Sequence, residues 1–371
     1  MKTGVIAFPL DRPVQGGIDR YVHRLAREFH WGPATSDFVW IHGTPFSVGA
    51  PLAGAAEAIL PEHGLGGTLA RRRWARANRE KLDVLFGPYF GVLPGPFAKV
   101  MTVHDLYAFT ARDAGFLWTA RFRAATRRMA AMSDYIIADS EASRRQVVEL
   151  LDTPSDRAVA IHLGVDPVAL PSLEARSAAR RELRAQFGWP TQTRVVLFVG
   201  ALIPRKDPLT LLGAFAALHN GRPDTRLLFL GAHTRASPRV ADEAARLGIA
   251  SAVAAPGAAD EATLARAYAG ADLFALPSAW EGFGLPAVEA MAHGLPVVLS
   301  KGGALPEVGG DAALYFAAGD GPALREQLER LLASEAECAR LARLGRSRAA
   351  HFTWARCAEE TLAVLAKAAK R

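Results

Sequence analysis

Residues 273–290 read Leu-Phe-Ala-Leu-Pro-Ser-Ala-Trp-Glu-Gly-Phe-Gly-Leu-Pro-Ala-Val-Glu-Ala. Leu273–Leu276 is apolar with no alternation, the pattern of a strand buried on both faces of a parallel sheet. Pro277 ends it. Gly282 and Gly284 let the backbone approach a ligand closely, and Pro286 suits the first turn of a helix running to about His293. Strand, glycine loop and helix in that order form half of a βαβ unit, whose ligands bind beyond the strand's C-terminal end. The N–H groups of Phe283, Gly284 and Leu285 at such a helix start suit an anion or sugar hydroxyls. Glu281 and Glu289, with seven residues between them, offer carboxylates to vicinal hydroxyl pairs.

The same grammar extends outward. Val195–Val199 is a strand that ends at Gly200, and Arg205 and Lys206 follow in the loop before the next helix. Cations at a strand's C-terminal end suit a diphosphate. Further strands are expected at Val5–Leu10, Phe38–Ile41, Val84–Phe86, Val100–Val103, Tyr135–Ala138, Val159–His162, Leu227–Leu230 and Val297–Leu299, with helical patterns between many of them. This alternation predicts an α/β protein of two doubly wound, Rossmann-like domains, one over residues 1–167 and one over 194–352. The stretch 168–193 holds Pro171 and Pro190 around a charged helix and reads as a linker. In the first domain, Gln15-Gly16-Gly17 follows the first strand, and His104-Asp105 closes another. A Gly-Gly turn is common, and a lone His–Asp pair is more often structural than catalytic. Their places at strand ends make Gly16, Gly17 and His104 candidates.

Composition narrows the classes. The chain has 371 residues, half of them hydrophobic, with mean hydropathy +0.09, enough to bury two cores. No apolar run approaches the roughly 18–20 residues that span a bilayer. The first residues lack the apolar stretch of a secretory signal. Two cysteines, Cys338 and Cys357, exclude a disulfide scaffold and fit a reducing cytoplasm. The net charge is +7, and between His63 and Met132 twelve basic residues face four acidic ones. Such a stretch either solvates the surface or attracts an anionic partner. Phe116, Leu117, Trp118, Phe122 and Met129, with Arg121, Arg123, Arg127 and Arg128, fit an amphipathic helix at an anionic membrane. They fit equally a helix packed on its own core. The stretch lacks the interleaved aromatics of a nucleic-acid binder, so no nucleic acid is expected.

These residues together resemble the retaining nucleotide-sugar glycosyltransferases of family 4, which have the GT-B fold. The matching elements are Gly16-Gly17, His104-Asp105, Asp139-Ser140-Glu141-Ala142-Ser143, Gly164-Val165-Asp166, Gly200 with Arg205-Lys206, and Glu281 with Glu289. The resemblance implies two domains facing across a cleft and a C-terminal helix, 353–371, crossing back onto the first. It implies that Glu281 contacts the donor sugar and Glu289 the ribose. Arg205 and Lys206 would neutralise the diphosphate, with Gly200 beneath them. Backbone at Phe283, Gly284 and Leu285 would contact sugar and phosphate, Gly16 and Gly17 would back the diphosphate, and His104 would lie beside the sugar. Where many members carry Arg after the glycine of the Gly200 motif, this chain has Ala201, and Arg205 would supply that charge.

Pro-Arg-Lys at 204–206 is similar to the mannosyltransferases among them, so GDP-mannose is expected as donor ahead of UDP-sugars. The acceptor would be a glycan or a lipid-linked oligosaccharide of cell-surface polysaccharide biosynthesis. The enzyme would then be cytoplasmic, peripheral on the inner face of the membrane. The sequence holds no Asp-X-Asp, so no metal and no cofactor is expected. Two other readings stand beside this one: a nucleotide-sugar epimerase or phosphorylase-like enzyme on the same architecture, and a non-catalytic nucleotide-sugar-binding subunit.

Overall fold

A computed structural model describes residues 1–12, 14, 16–32, 37–46, 52, 54–62, 64–89, 91–110, 116–169, 172–232 and 237–370, without the side chains of 64, 65, 116–118, 173, 237 and 238. Gln15, Arg112 and the side chains of Phe116, Leu117 and Trp118 therefore lie outside the described residues. The chain forms two compact units, Met1–Gly164 with Phe352–Arg371, and Val165–His351.

The first unit holds seven strands: β1 (Lys2–Ile6), β2 (Asp37–His42), β3 (Ala56–Ile59), β4 (Val84–Gly87), β5 (Ala98–Val103), β6 (Tyr135–Ala138) and β7 (Ala158–Ala160). Their order is β3-β2-β1-β4-β5-β6-β7, every pair parallel. The order reverses between β1 and β4, where Val5 lies opposite both Trp40 and Phe86. The expected first strand is shorter than its apolar run. Pro9 cannot donate to a ladder, and Phe8–Asp11 turns into a 3₁₀ helix. The short edge strand β3 has little apolar signal and was not expected.

The helix Trp354–Ala369 belongs to this unit and packs on the helix Gly17–Trp31 and on β4–β6. Thr353 caps it by accepting from the Arg356 N–H. Gly164 passes so close to Trp354 that a Cβ there would collide with it.

The second unit holds β8 (Arg194–Val199), β9 (Thr225–Leu230), β10 (Val253–Gly257), β11 (Leu273–Leu276), β12 (Val297–Ser300) and β13 (Ala313–Phe316). These are parallel in the order β10-β9-β8-β11-β12-β13, so the reversal falls between β8 and β11. β10, Val-Ala-Ala-Pro-Gly, carries too few large apolar residues to stand out in the sequence, and β13, Ala-Leu-Tyr-Phe, is a short apolar run that was not expected. The core strands are buried throughout, as in Val195–Phe198 and Val297–Leu299.

The stretch 168–193 is more than a linker. Its helix Leu173–Gln186 packs within the second unit against the helix Glu261–Gly270. The anchor is Arg184, which is 2% exposed. It donates to the carbonyls of Thr193 and Gly270 and, at 2.6 Å, to the Asp272 carboxylate. Burial, aided by Arg180 and Arg194, pushes its pKa down to about 10, which leaves it charged at neutral pH.

Candidate functional site

The crevice of a doubly wound sheet opens where strand order reverses. In the second unit that point lies between β8 and β11, whose C-terminal ends lead into Gly200–Lys206 and Pro277–Gly284. The Ala279 N–H donates to the Arg205 carbonyl at 2.8 Å and ties the two loops together.

Glu281 is 5% exposed and sits at the centre. Its Oε1 accepts from Lys206 Nζ at 2.6 Å and from Ser278 Oγ at 2.5 Å. Its Oε2 faces Arg205 Nη1 at 3.4 Å, and the same nitrogen donates to the Trp280 carbonyl at 2.8 Å. Burial favours the neutral acid, but Lys206 and Arg205 outweigh it and hold the Glu281 carboxyl below its usual range. Two cations share one carboxylate, so this cluster carries net positive charge. The Lys206 stem lies along Gly200, whose φ of +146° a side-chain-bearing residue rarely adopts.

The backbone here is built for close approach. Gly284 stands at φ +97° as the N-cap of the helix Leu285–Ala292, with no side chain capping that helix start. A Cβ on Gly284 would come to 2.7 Å from Leu305. Phe283 and Leu285 are buried beside it. Glu289, one turn on, is also buried, and its Oε2 accepts from Tyr268 Oη at 2.8 Å.

The loop after β12 is a further part that the sequence reading missed. The Ala304 N–H donates to the Glu281 carbonyl at 2.9 Å, and a Cβ on Gly303 would overlap that carbonyl. Ser300 Oγ donates to the Ser278 carbonyl at 2.5 Å. Ser278, Ser300 and Gly302-Gly303 thus fix the backbone that presents Glu281. The Gly302-Gly303 pair after a strand is the same signal that drew attention to Gly16-Gly17. Tyr268 leaves no signal, since it reaches Glu289 from another helix.

Gly16, Gly17 and His104 lie in the first unit. Gly16 is the exposed, extended N-cap of the helix Gly17–Trp31, which has no side-chain cap. His104 follows β5 and is buried. Its Nδ1 lies 2.8 Å from Asp139 Oδ2, its Nε2 3.0 Å from the Pro88 carbonyl, and Tyr21 packs edge-on at 5.0 Å. Both partners are acceptors, which calls for a proton on each nitrogen. Burial opposes that charge, but Asp139 and the Pro88 carbonyl prevail and raise the His104 pKa. Both ring nitrogens of His104 are thus engaged, while burial also raises the pKa of its partner Asp139.

The basic stretch is partly accounted for. Phe122, Met129 and Trp74 pack against the first unit's core. Arg123 donates to the Ala108 carbonyl, and Arg127 donates to the Leu150 carbonyl while stacking over Phe109. Arg72, Arg73, Arg76, Arg121 and Arg128 are exposed. No described helix is long and apolar enough to cross a membrane.

Comparison with known proteins follows this division. A Glycosyltransferase Family 4 model matches residues 15–168, and a model of the glycosyl transferases group 1 matches residues 179–348. O-antigen chain mannosyltransferase B of Escherichia coli is 29% identical over 98% of this chain and 98% of its own. D-inositol 3-phosphate glycosyltransferase of Mycolicibacterium smegmatis is 36% identical over 64% of this chain. The chain spans about half the length of such curated relatives, 53% in that case. Among solved structures, sucrose-phosphate synthase from Thermosynechococcus elongatus matches with a TM-score of 0.78 at 20% identity, over 99% of this chain and 98% of its own. Anabaena HepE in complex with UDP-glucose matches at 0.77 and 18% identity, over 99% of this chain and 100% of its own. At such identities these two speak for the fold alone. With a family 4 domain in its first half, a group 1 domain in its second, and the GT-B fold throughout, the chain belongs to the group 1 and family 4 glycosyltransferases.

Proposed function

We propose that this protein transfers a hexose, mannose from GDP-mannose, to a glycan or lipid-linked sugar acceptor in cell-surface polysaccharide assembly, with retention and without a metal. The observation that carries the reading is the buried cluster of Lys206, Arg205 and Glu281 at the second sheet's reversal point. Breaking the glycosidic bond places negative charge on the departing diphosphate. Fixed cations act best where charge grows during the reaction, and these two are already held by Glu281 and the Trp280 carbonyl, with Ser278 in turn bound to Glu281. Lys206 and Arg205 receive the diphosphate in this reading, and Glu281 turns toward the sugar hydroxyls. Gly284 and the uncapped helix start behind it add backbone N–H groups and the positive end of a helix dipole. The same two cations do the work that a metal does elsewhere, which is why the reading dispenses with one.

The choice of mannose rests on Pro204-Arg205-Lys206 and on the O-antigen mannosyltransferase relative that matches end to end. Retention rests on kinship and on the absence of a candidate carboxylate nucleophile. A donor phosphate oxygen would take the acceptor's proton on the front face. In this reading the acceptor lies at an anionic surface, which the exposed arginines of the first unit support. A thermal-shift screen against GDP, UDP, ADP and their sugars tests the donor. GDP and GDP-mannose should raise the melting temperature most, and a larger shift with UDP or ADP and their sugars would reassign it.

A further inference from the structure

Tyr268 lies outside every motif read from the sequence, yet it is 2% exposed and ends on a residue of the candidate site. It sits on the helix Glu261–Gly270, while Glu289 sits on Leu285–Ala292. Its hydroxyl donates to Glu289 Oε2 at 2.8 Å and lies 3.4 Å from the Pro286 carbonyl. The ring is wedged between His293, stacked at 5.0 Å, and Phe274 at 6.2 Å. Burial pushes the His293 pKa down to about 4, so the ring stacked on Tyr268 is uncharged at neutral pH.

From this geometry we infer that Tyr268 is a positioning residue: its hydroxyl holds one oxygen of Glu289 so that the other is presented to the ribose of the nucleotide. The inference rests on the proposed role of Glu289 toward the ribose. A glutamate has three rotatable bonds, and a ligand that must order them binds more weakly than one that finds them ordered. The ring's packing fixes the hydroxyl, and the hydroxyl fixes the carboxylate. The contact joins two different helices of the second unit, so the orientation of Glu289 is set by tertiary packing.

The test compares the binding of nucleoside diphosphates with that of their 2′-deoxy forms by calorimetry, using whichever of GDP, UDP and ADP the protein binds best. Wild type should prefer the ribo form about tenfold or more, and Glu289→Ala should abolish the preference. Tyr268→Phe keeps the ring and removes only the hydroxyl. It should weaken the ribo form about fivefold and shrink the preference, raise KM for donor, and leave kcat within about twofold. In the Glu289→Ala background it should change nothing further. A wild type that prefers the ribo form and a folded Tyr268→Phe that prefers it equally would overturn the positioning role alone. A wild type with no preference would overturn the ribose reading and this inference together. Should Tyr268→Phe fail to fold, Glu289→Gln decides. With Tyr268 orienting its amide it should bind the ribo form more tightly than Glu289→Ala, and equal affinities would overturn the role.

Discussion

Lys206 and Glu281 bind each other at 2.6 Å, and both are buried. Removing either leaves a buried charge with a poorer partner and strips the site of a fixed group. Lys206→Ala and Glu281→Ala are each expected to lower transfer at least about a hundredfold, the scale of losing one preorganised donor. Initial rates on folded variants check this. The pH dependence carries its own sign. The Glu281 carboxyl is held below its usual range, so its stabilising contribution is present above the unfolded carboxyl's pKa and fades as pH falls through the folded value. His104 behaves oppositely. Its pKa is raised, so its contribution is complete below about 6.5, the unfolded value, and is lost as pH rises through the folded value. Melting temperature should therefore fall more steeply from pH 7 to 9 in wild type than in His104→Gln. Parallel curves would contradict a His104 pKa raised by Asp139 and the Pro88 carbonyl. The grouping of candidates at this scale was legible wherever the residues lie in one loop, as in Glu281 with Gly284 and Arg205 with Lys206. Asp139 stands in a recognised stretch, but its bond to His104 spans two strands, and no local pattern announces it.

Elements explain why those residues meet. Central strands β8, β9, β11 and β12 are apolar runs buried on both faces, so their positions were readable directly. Edge strands β3 and β10 bury less and carry few large apolar residues, so the same logic did not reach them, whereas the edge strand β13 is a four-residue apolar run that went unread. The stretch 168–193 misled for a related reason. Its helix is rich in arginine and glutamate and looks solvated, yet Arg184 is buried by Asp272 and two carbonyls. Arg184→Met is expected to destabilise the second unit by about 3 kcal/mol, since it strips a buried carboxylate of its best partner. Arg180 and Arg194 still pair with Asp272 and limit the loss. Urea unfolding measures it, and a change near zero would contradict the anchoring. Gly284→Ala probes the helix start. A left-handed backbone costs a non-glycine residue roughly 1–2 kcal/mol, and the Leu305 contact adds to it. The variant should lose both stability and donor affinity.

The whole molecule joins two sheets that each reverse order once and each carry candidate residues beyond their strand ends: Gly16 and Gly17 after β1 and His104 after β5 in one, the Lys206–Glu281 cluster at the reversal in the other. Exposed Arg72, Arg73, Arg76, Arg121 and Arg128 add a cationic surface to the first. At about 1 kcal/mol for each cation near an anionic leaflet, several together would suffice for reversible membrane binding. Co-sedimentation with vesicles should rise with anionic lipid and fall with salt. Indifference to anionic vesicles at low salt would point to an acceptor free in solution. The central claim is that two protein cations held by one buried glutamate activate a nucleotide sugar. Its most direct measurement is the rate of mannose release or transfer from GDP-mannose in excess EDTA, by wild type and by Lys206→Ala. The account predicts a wild-type rate unchanged by EDTA and a rate at least about a hundredfold lower in the variant. A strict requirement for added magnesium or manganese, or a folded Lys206→Ala with near-normal turnover, would contradict it.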